Sequence, residues 1–585
     1  MKLKKYILCG VVAAGLSTFA GCDDVLFRDA PVDQISDAEI WKNAMLLDEY
    51  VLPWYRNMNH GFSTYVPTTI ALVKSMSRYY MPWFGDQIVP SKTDYYNAGY
   101  GDLLKANQQE ITNWAEVNWQ TYYTQIQSIN RLLENQGEIA AGEQKQRLLG
   151  EAHFFRAYYY FLLWRMYGGV MLIRELFDPL NDGTTYPRAS YTEMVQAIRE
   201  DAWTAAGLLP QEYDNTEAGR ITKGAALMLI AKTYQWASSE RFQNQEKPYL
   251  GFTDDQSRVM LDSAKVAYER VMGLKQYSLI QISGTTEDAF KQEYRNIFLT
   301  KNSQESILEV QHSDDGNYDT GFGHKLDRDA AAPYFTGTTA AYTPTQNHVD
   351  EYGMRQGYTY DARHPYVGRD WRFYANVLYD GSVYNGHVMD IHTTDGVAGV
   401  DLTPYGTSTT ASVTRTGYYM GKFVDESQVI DNDDAYASSQ NYIIWRYAEV
   451  LLDYAEVMFR LGDTGTALQM VNDIRSRAHM DALPSLTWDE LVNERRVELA
   501  FEETSYWDIM RWGIAEEKLS GDTNPIKAMT ITVNTATKDT TYTIGNMDRF
   551  PTRVRSFDPR QYYLPLHWDD VRYHGVEQNP DWTEM

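Results

Sequence analysis

The chain has 585 residues, 43% of them apolar, which is ample for a large core and long enough for one big domain or two fused ones. Acidic residues outnumber basic ones 79 to 53, for a formal charge of -26. That field argues against a nucleic-acid partner and against broad adhesion to anionic lipid, since both need clustered Lys and Arg. Aromatics reach 14%, led by 45 Tyr, a residue suited to surfaces that are apolar on one side and wet on the other.

The first 21 residues read as an export segment. Lys2, Lys4 and Lys5 form a positive end, and Tyr6 to Phe19 form an apolar run too short to span a bilayer reliably. Ala20 and Gly21 then precede Cys22, the pattern of a lipobox, in which the cysteine is lipidated and becomes the first residue of the mature chain. Cys9 leaves with this segment, so no cysteine pair remains for an internal disulfide and no thiol for metal or nucleophilic chemistry. Residues 22–35 read as a lipidated tether, with Asp23 and Asp24 directly after the cysteine.

Residues 36–585 read as one domain. Helical periodicity runs near 36–57, 108–136, 143–167, 190–206, 220–238 and 257–272, and resumes at 442–461, 464–478, 488–502 and 504–518. These two stretches, about 36–307 and 442–520, predict a helical scaffold. In GRITKGAALMLIAKTYQWA the small residues Gly224, Ala225 and Ala231 allow neighbours to approach closely, and Tyr447, Leu451, Tyr454 and Met458 recur at helical spacing. Large and small residues alternating in this way predict a mainly α fold of tetratricopeptide-like helix pairs. Between them, about 308–441 is rich in Gly, Asp, Thr and Tyr and carries short β-prone pieces such as Arg372 to Leu378 and Tyr418 to Val424. A long irregular insertion in a helical chain is where a ligand surface is expected. A final excursion, 521–585, has β-prone Thr and Val runs and then a Pro-containing tail.

Chemistry-bearing motifs are sparse. Glu498 and Glu502, four apart, invite a glycosidase reading, but with Glu494, Arg495 and Arg496 beside them and Arg511 nearby they read as ion pairs locking helices together. Arg446, Glu449 and Asp453 read the same way, and Arg156 in its apolar helix is expected to meet buried carbonyls or a carboxylate. His387, Asp390, His392 and Asp395 lack zinc spacing and read as loop composition. Asp431, Asp433 and Asp434 could offer hard oxygen ligands to Ca²⁺, without the EF-hand pattern; no other cofactor is implied. There is no GxSxG elbow, HExxH, P-loop or dinucleotide fingerprint, which removes the usual reasons to propose an enzyme.

A set of segments in a fixed order sharpens this. GEAHFFRAYYYFLLWRMYGGVMLI (150–173), GRITKGAALMLIAKTY (219–234), RDWRFYANVLYDG (369–381), RYAEVLLDYAEV (446–457), VNDIRSRA (471–478), NERRVELAFEETSYWDIMRWG (493–513) and YYLPLHWDDVRYHGVEQNPDW (562–582) resemble the SusD/RagB family of surface glycan-binding lipoproteins of the Bacteroidota. The resemblance implies an outer-membrane protein, lipid-anchored through Cys22 and facing outward. It implies oligosaccharide capture and delivery to a SusC-like TonB-dependent barrel, with RagB-like peptide capture as the alternative. The stretch GDQIVPSKTDYYNAGY (85–100) resembles the loop that carries an aromatic platform in the starch-binding member. By that likeness Tyr95 or Tyr96 is the platform ring, Asn97 a polar contact and Trp83 an extension of the surface. Tyr318, Phe322, Tyr334 and Phe335 are further ring-stacking candidates from the irregular stretch; Trp371, Trp507 and Trp512 read as packing.

Overall fold

The computed structural model describes residues 37–58, 62, 81–90, 108–176, 186–214, 216–313, 323–335, 338, 340–404, 413–428, 438–547 and 556–582. Its scaffold is an array of helices packed on one another. Gln108–Glu134, Glu143–Tyr167, Tyr191–Leu208, Lys223–Ala237 and Ser257–Gly273 each pack on the next, and Tyr447–Leu461 then docks on Ser257–Gly273 to continue the array with Thr464–Arg477 and Trp488–Glu498. Glu143–Tyr167 is apolar on nearly all sides from Phe154 to Trp164, and it is buried to match.

Local chemistry sets the helix ends. Ser190 with Glu193 and Thr487 with Glu490 form capping boxes, and Thr222 accepts from the Ala225 amide. Tyr447–Leu461 stops at Gly462, whose φ of 90° suits glycine. Gly224 is small for a packing reason: a Cβ there would lie 2.1 Å from the Tyr277 hydroxyl. Arg156 meets the expected carboxylate, donating to both oxygens of Asp201 at 2.8 Å.

Several expected boundaries shift. Tyr442–Arg446 is a strand, not the start of a helix; its aromatic and β-branched run pairs antiparallel with Ser306–Val310, and the helix begins at Tyr447. Arg372 to Leu378 is mostly a short helix, Trp371–Asn376, capped by the Asp370 side chain, and only Val377–Leu378 is extended, against Tyr419–Met420. Helix Glu287–Leu299 was not expected at all; Thr286 caps it and it packs on Trp371–Asn376. The helix expected over 488–502 ends at Glu498, so Glu498 and Glu502 do not share a helical face; Phe501, at φ 64°, turns the chain between them. Gly513 divides the one expected over 504–518. The C-terminal excursion folds into the hairpin Lys527–Asn534/Asp539–Asn546, which pairs in parallel with Thr393–Thr394 and so ties the tail to the irregular region.

The two halves of the scaffold and the irregular region meet at a buried ion network. Arg446 donates to Glu305 at 2.8 Å, Glu498 at 2.9 Å and Glu502 at 2.8 Å. Arg477 pairs with Glu305 and Glu498. Arg372, from the irregular region, reaches Glu494 at 2.6 Å and Glu498 at 3.1 Å, and Lys422 reaches Glu502 at 2.8 Å. The two glutamates are thus structural, as expected, but their partners are not Arg495 and Arg511. Those bind Asp453, Asp508 and Glu456 in a second buried cluster.

Burial alone would raise the Glu498 carboxyl, but Arg477, Arg446 and Arg372 outweigh it and hold the group far below the usual carboxylate range. Its folded value lies below its unfolded one, so its contribution is full above about pH 4.5 and fades as pH falls toward the depressed value. Glu498→Gln leaves buried guanidinium groups uncompensated and is expected to cost about 3–5 kcal/mol in urea unfolding at pH 7. The gap between variant and native protein should narrow as the buffer is taken below pH 4.5. A variant as stable as the native protein at pH 7 would show that the network does not hold the halves together.

Candidate functional site: an aromatic platform

The irregular region carries a tight hairpin, Val383–Tyr384/His387–Val388. Its two-residue turn is Asn385–Gly386, with φ of 46° and 75°, the left-handed pair that a type I′ turn requires. Tyr384 and His387 face each other across the hairpin and point toward the protein, while Val383 and Val388 point to solvent. Phe335 packs edge-on against Tyr384, with ring centres 5.5 Å apart.

Tyr334 lies flat on the His387 imidazole, with centres 3.7 Å apart and planes 3° from parallel. It is 55% exposed. With one face of the ring covered by His387, exposure on that scale leaves the opposite face open. The result is a flat apolar surface on a stacked support, with Phe335 set at a right angle beside it (5.1 Å, 88°).

One buried carboxylate positions the stack. Asp401 takes the Tyr334 amide on Oδ1 at 3.3 Å, and on Oδ2 it takes the Asp390 amide at 2.8 Å and His387 Nε2 at 2.7 Å. The Tyr419 hydroxyl donates to the Asp401 carbonyl at 2.6 Å. The platform therefore rests on groups already committed to each other, and its rings have little freedom left to lose when a ligand arrives.

The sequence candidates fare unevenly. Tyr334 and Phe335 are brought together, with His387 as a third member. Tyr95, Tyr96, Asn97, Tyr318, Phe322, Asp431, Asp433, Asp434 and Cys22 lie outside the described residues. Trp83 falls in the short turn Met81–Phe84, its side chain outside the described set. Trp371 is half-buried between Phe290 and the Arg355 guanidinium, 3.8 Å above its ring. Two exposed rings that sequence reasoning missed, Tyr358 and Tyr360, lie 5.1 Å from the Arg355 and Arg369 guanidinium groups respectively. The Asn-Gly dipeptide was the available signal for the hairpin, but nothing local announces that residue 387 will lie under residue 334.

The histidine and aspartate group read as loop composition separates. His387 serves the platform, and Asp395 holds the Thr535 amide at 3.1 Å. His392 Nδ1 lies 2.8 Å from Asp380 and 3.4 Å from Asp390. These three could jointly hold a cation, yet a hydrogen bond from His392 to Asp380 satisfies the same contact without one.

Comparison with known proteins gives two family matches. The SusD family matches residues 304–582, and a family described as starch-binding associating with outer membrane matches residues 62–235. A SusD-like protein of Bacteroides ovatus is 25% identical over 86% of this chain and 82% of its own length. The crystal structure of a SusD-like protein from Bacteroides fragilis superposes with a TM-score of 0.72 at 25% identity, covering 95% of this chain and all (100%) of that one. A laminarin-binding SusD-like protein superposes with a TM-score of 0.63 at 20% identity, covering 93% of this chain and 100% of its own.

Asp401 is a positioning residue for the platform, and removing it tests the arrangement without touching a ring. Asp401→Ala leaves the Tyr334 and Asp390 amides and His387 without their shared acceptor. It is expected to lower stability by about 1.5–3 kcal/mol in urea unfolding. In histidine-labelled protein it should also move the His387 ring resonance away from its ring-current-shifted position above Tyr334. An unmoved resonance would mean that the stack stands without Asp401.

Proposed function

The chain belongs to the SusD family, and from that premise we propose that it captures oligosaccharide on the Tyr334 platform and delivers it to a SusC-like TonB-dependent transporter in the outer membrane. The observation that carries the binding reading is the Tyr334–His387 stack. A flat aromatic face matches the apolar C–H face of a sugar ring, and an aromatic surface held by a buried carboxylate is an economical way to build one. The same likeness to a laminarin-binding protein supports a glycan as ligand. Tyr334, Phe335 and His387 all fall within 308–441, which supports that stretch as the ligand side, with Tyr95, Tyr96, Asn97 and Trp83 proposed as a second edge of the surface.

The platform performs no bond-breaking. The paired glutamates 498 and 502 are buried among cations, and the role of the site is capture. A captured oligosaccharide is too polar to cross lipid unaided and needs a channel, which supports the barrel partner. Among the described residues no helix is long and apolar enough to cross a membrane. The position of Cys22 directly after Ala20–Gly21 supports attachment through lipid on that cysteine, with the domain facing outward.

Two measurements test this reading. Tyr334→Ala is expected to weaken binding of the best oligosaccharide from a glycan screen by about 1–3 kcal/mol in calorimetry. The melting curve should barely move, because the ring is exposed. Unchanged affinity would place the platform elsewhere. Cys22→Ser is expected to shift the protein from the membrane fraction to the soluble fraction of cells and to abolish palmitate labelling; continued labelling would rule out Cys22 as the anchor.

A further inference from the structure

A concavity of about 260 Å³ lies where the tail of the chain packs back on the helical scaffold. None of its walls belongs to the platform. They come from the turn 241–250 after helix Lys223–Ala237, from the short turn Pro559–Tyr562 with Tyr563, and from 579–581. Both sides are fixed. The 241–250 turn closes through the Gln245 amide on the Phe252 carbonyl and the Phe252 amide on the Phe242 carbonyl, each at 2.7 Å. The tail is held by the Leu564 amide on the Met166 carbonyl at 2.8 Å, by Asn579 Nδ2 on the Tyr167 and Leu564 carbonyls at 3.0 and 2.6 Å, and by Trp582 Nε1 on the Tyr563 carbonyl at 2.8 Å.

Arg241 is the unmatched charge of this lining. Its guanidinium lies 3.8 Å over the Tyr562 ring and 4.8 Å from the centre of the Tyr563 ring, with its stem passing beside Gly513. Among the described residues it forms no ion pair, although the chain as a whole carries a charge of -26. The titratable groups it acts on, Tyr191, Tyr562 and Tyr563, are neutral phenols. The Tyr563 hydroxyl, which it approaches, is already engaged with the Leu250 carbonyl and the Tyr191 hydroxyl. None of the Arg241 nitrogens is a buried atom without a partner, so its unpaired N–H groups open on the cleft. A second guanidinium, Arg560, lies 4.7 Å over Trp582; its Nε is 3.3 Å from Asp558 and its Nη1 is 3.5 Å from the Asp581 carbonyl. Asp558 thus offsets Arg560, and nothing among the described residues offsets Arg241. A guanidinium laid flat on a ring presents its edge as a fork of donors, the shape that matches a carboxylate.

We propose that this cleft holds an acidic sugar, a uronate unit, with its carboxylate on the Arg241 fork and its ring hydroxyls donating to the Asp581 carboxylate and Gln245 Oε1. The rim supplies the acceptors that hydroxyls need: Asp581 is exposed, and Gln245 is anchored through Nε2 on the Arg241 and Gln243 carbonyls at 3.0 and 3.1 Å, which leaves its oxygen free. Leu250, Pro559 and Pro580 give the cleft apolar sides for the C–H face of a ring, and its volume suits one ring. A neutral sugar would leave Arg241 unmatched. A doubly charged oxyanion would meet Asp581 at the rim. A polymer with many carboxylates is repelled by the acidic surface, whereas a single carboxylate inside the cleft meets Arg241 well within the screening length. The choice of a sugar to carry the carboxylate rests on the glycan-capture reading; the match of a carboxylate to Arg241 does not.

Hydrogen–deuterium exchange of the purified full chain tests it with sodium glucuronate, glucose, sodium sulfate and alanine at matched ionic strength. Glucuronate is expected to slow exchange several-fold in peptides covering 241–252 and 559–582, equally in the native protein and in Tyr334→Ala, and glucose is expected to leave them unchanged. Arg241→Gln should abolish that protection. Asp581→Asn removes a repelling charge at an exposed position whose φ of 63° asparagine tolerates, so protection should appear at a several-fold lower glucuronate concentration; this variant decides the matter if Arg241→Gln fails to fold. Protection that neither variant alters would overturn the inference. So would equal protection by glucose, which would make the cleft a neutral-sugar site, protection by sulfate alone, which would make it a site for small inorganic anions, or protection by alanine alone, which would make it an amino-acid site. Neutral oligosaccharides, read at peptides around 334 and 387–401, test the platform separately. Protection there with none by glucuronate at the cleft would overturn this inference and leave the platform intact, and the reverse would support the cleft and count against the platform.

Discussion

Everything else in this molecule depends on the buried pairing of Arg446 with Glu305, Glu498 and Glu502. The helical array is interrupted by the long stretch that carries the platform, and the interruption must be closed by contacts between residues distant in the chain. Arg446 sits at that closure, at the end of the strand that brings the chain back and one residue before helix Tyr447–Leu461. Its partners come from both sides, and Arg372 and Lys422 reach the same carboxylates from within the irregular region. Apolar contacts would pack this junction equally well but would not select a register. Ion pairs of fixed geometry do, because a displaced guanidinium would leave buried charge unmatched.

The junction also explains how short strands can hold a rigid surface. The irregular region's own strands are mostly two residues long, and such pairs are not stable alone. The platform hairpin is instead tethered to a helix. Arg295 on helix Glu287–Leu299 pairs with Glu426 and donates to the Ala375 carbonyl at 2.8 Å. Glu426 accepts in turn from the Asn385 amide in the hairpin turn at 3.3 Å. Gly421 is small here because a Cβ would lie 2.3 Å from the Arg295 guanidinium. Charged hydrogen bonds thus hold the hairpin turn to the helix, and Asp401 separately ties His387 of the hairpin to the Tyr334 backbone.

The legible and illegible parts of the sequence divide along this line. Helix pairing could be read because it is local: Gly224 beside Ala225 and the 3.6-residue recurrence from Tyr447 each act within a few residues. The strand Tyr442–Arg446 was misread because its apolar run suits helix or strand, and only the distant Ser306–Val310 settles it. That Glu498 is structural was readable from the charges around it, but its partners were not, since Arg372, Arg446 and Arg477 are brought there by tertiary closure. Of the platform, Tyr334 and Phe335 could be nominated as rings in an irregular stretch. His387 reads from sequence as loop composition, and its use as a stacking support depends on a hairpin register and on Asp401, neither of which leaves a local signature.

The electrostatics then separate capture from the acidic surface. The chain carries a charge of -26, and both large clusters of buried cations are consumed by internal carboxylates. The open face of Tyr334 does not depend on that outer charge. Contacts of this kind are short-ranged and little affected by salt, whereas surface charges act over roughly 8–10 Å at ordinary ionic strength. A neutral ligand can therefore approach and leave without electrostatic steering, while anionic polymers are repelled from the same surface. On the proposed reading, selectivity by net charge and recognition by rings are independent, and a chain with this balance can remain strongly acidic without weakening contact between an aromatic face and a glycan.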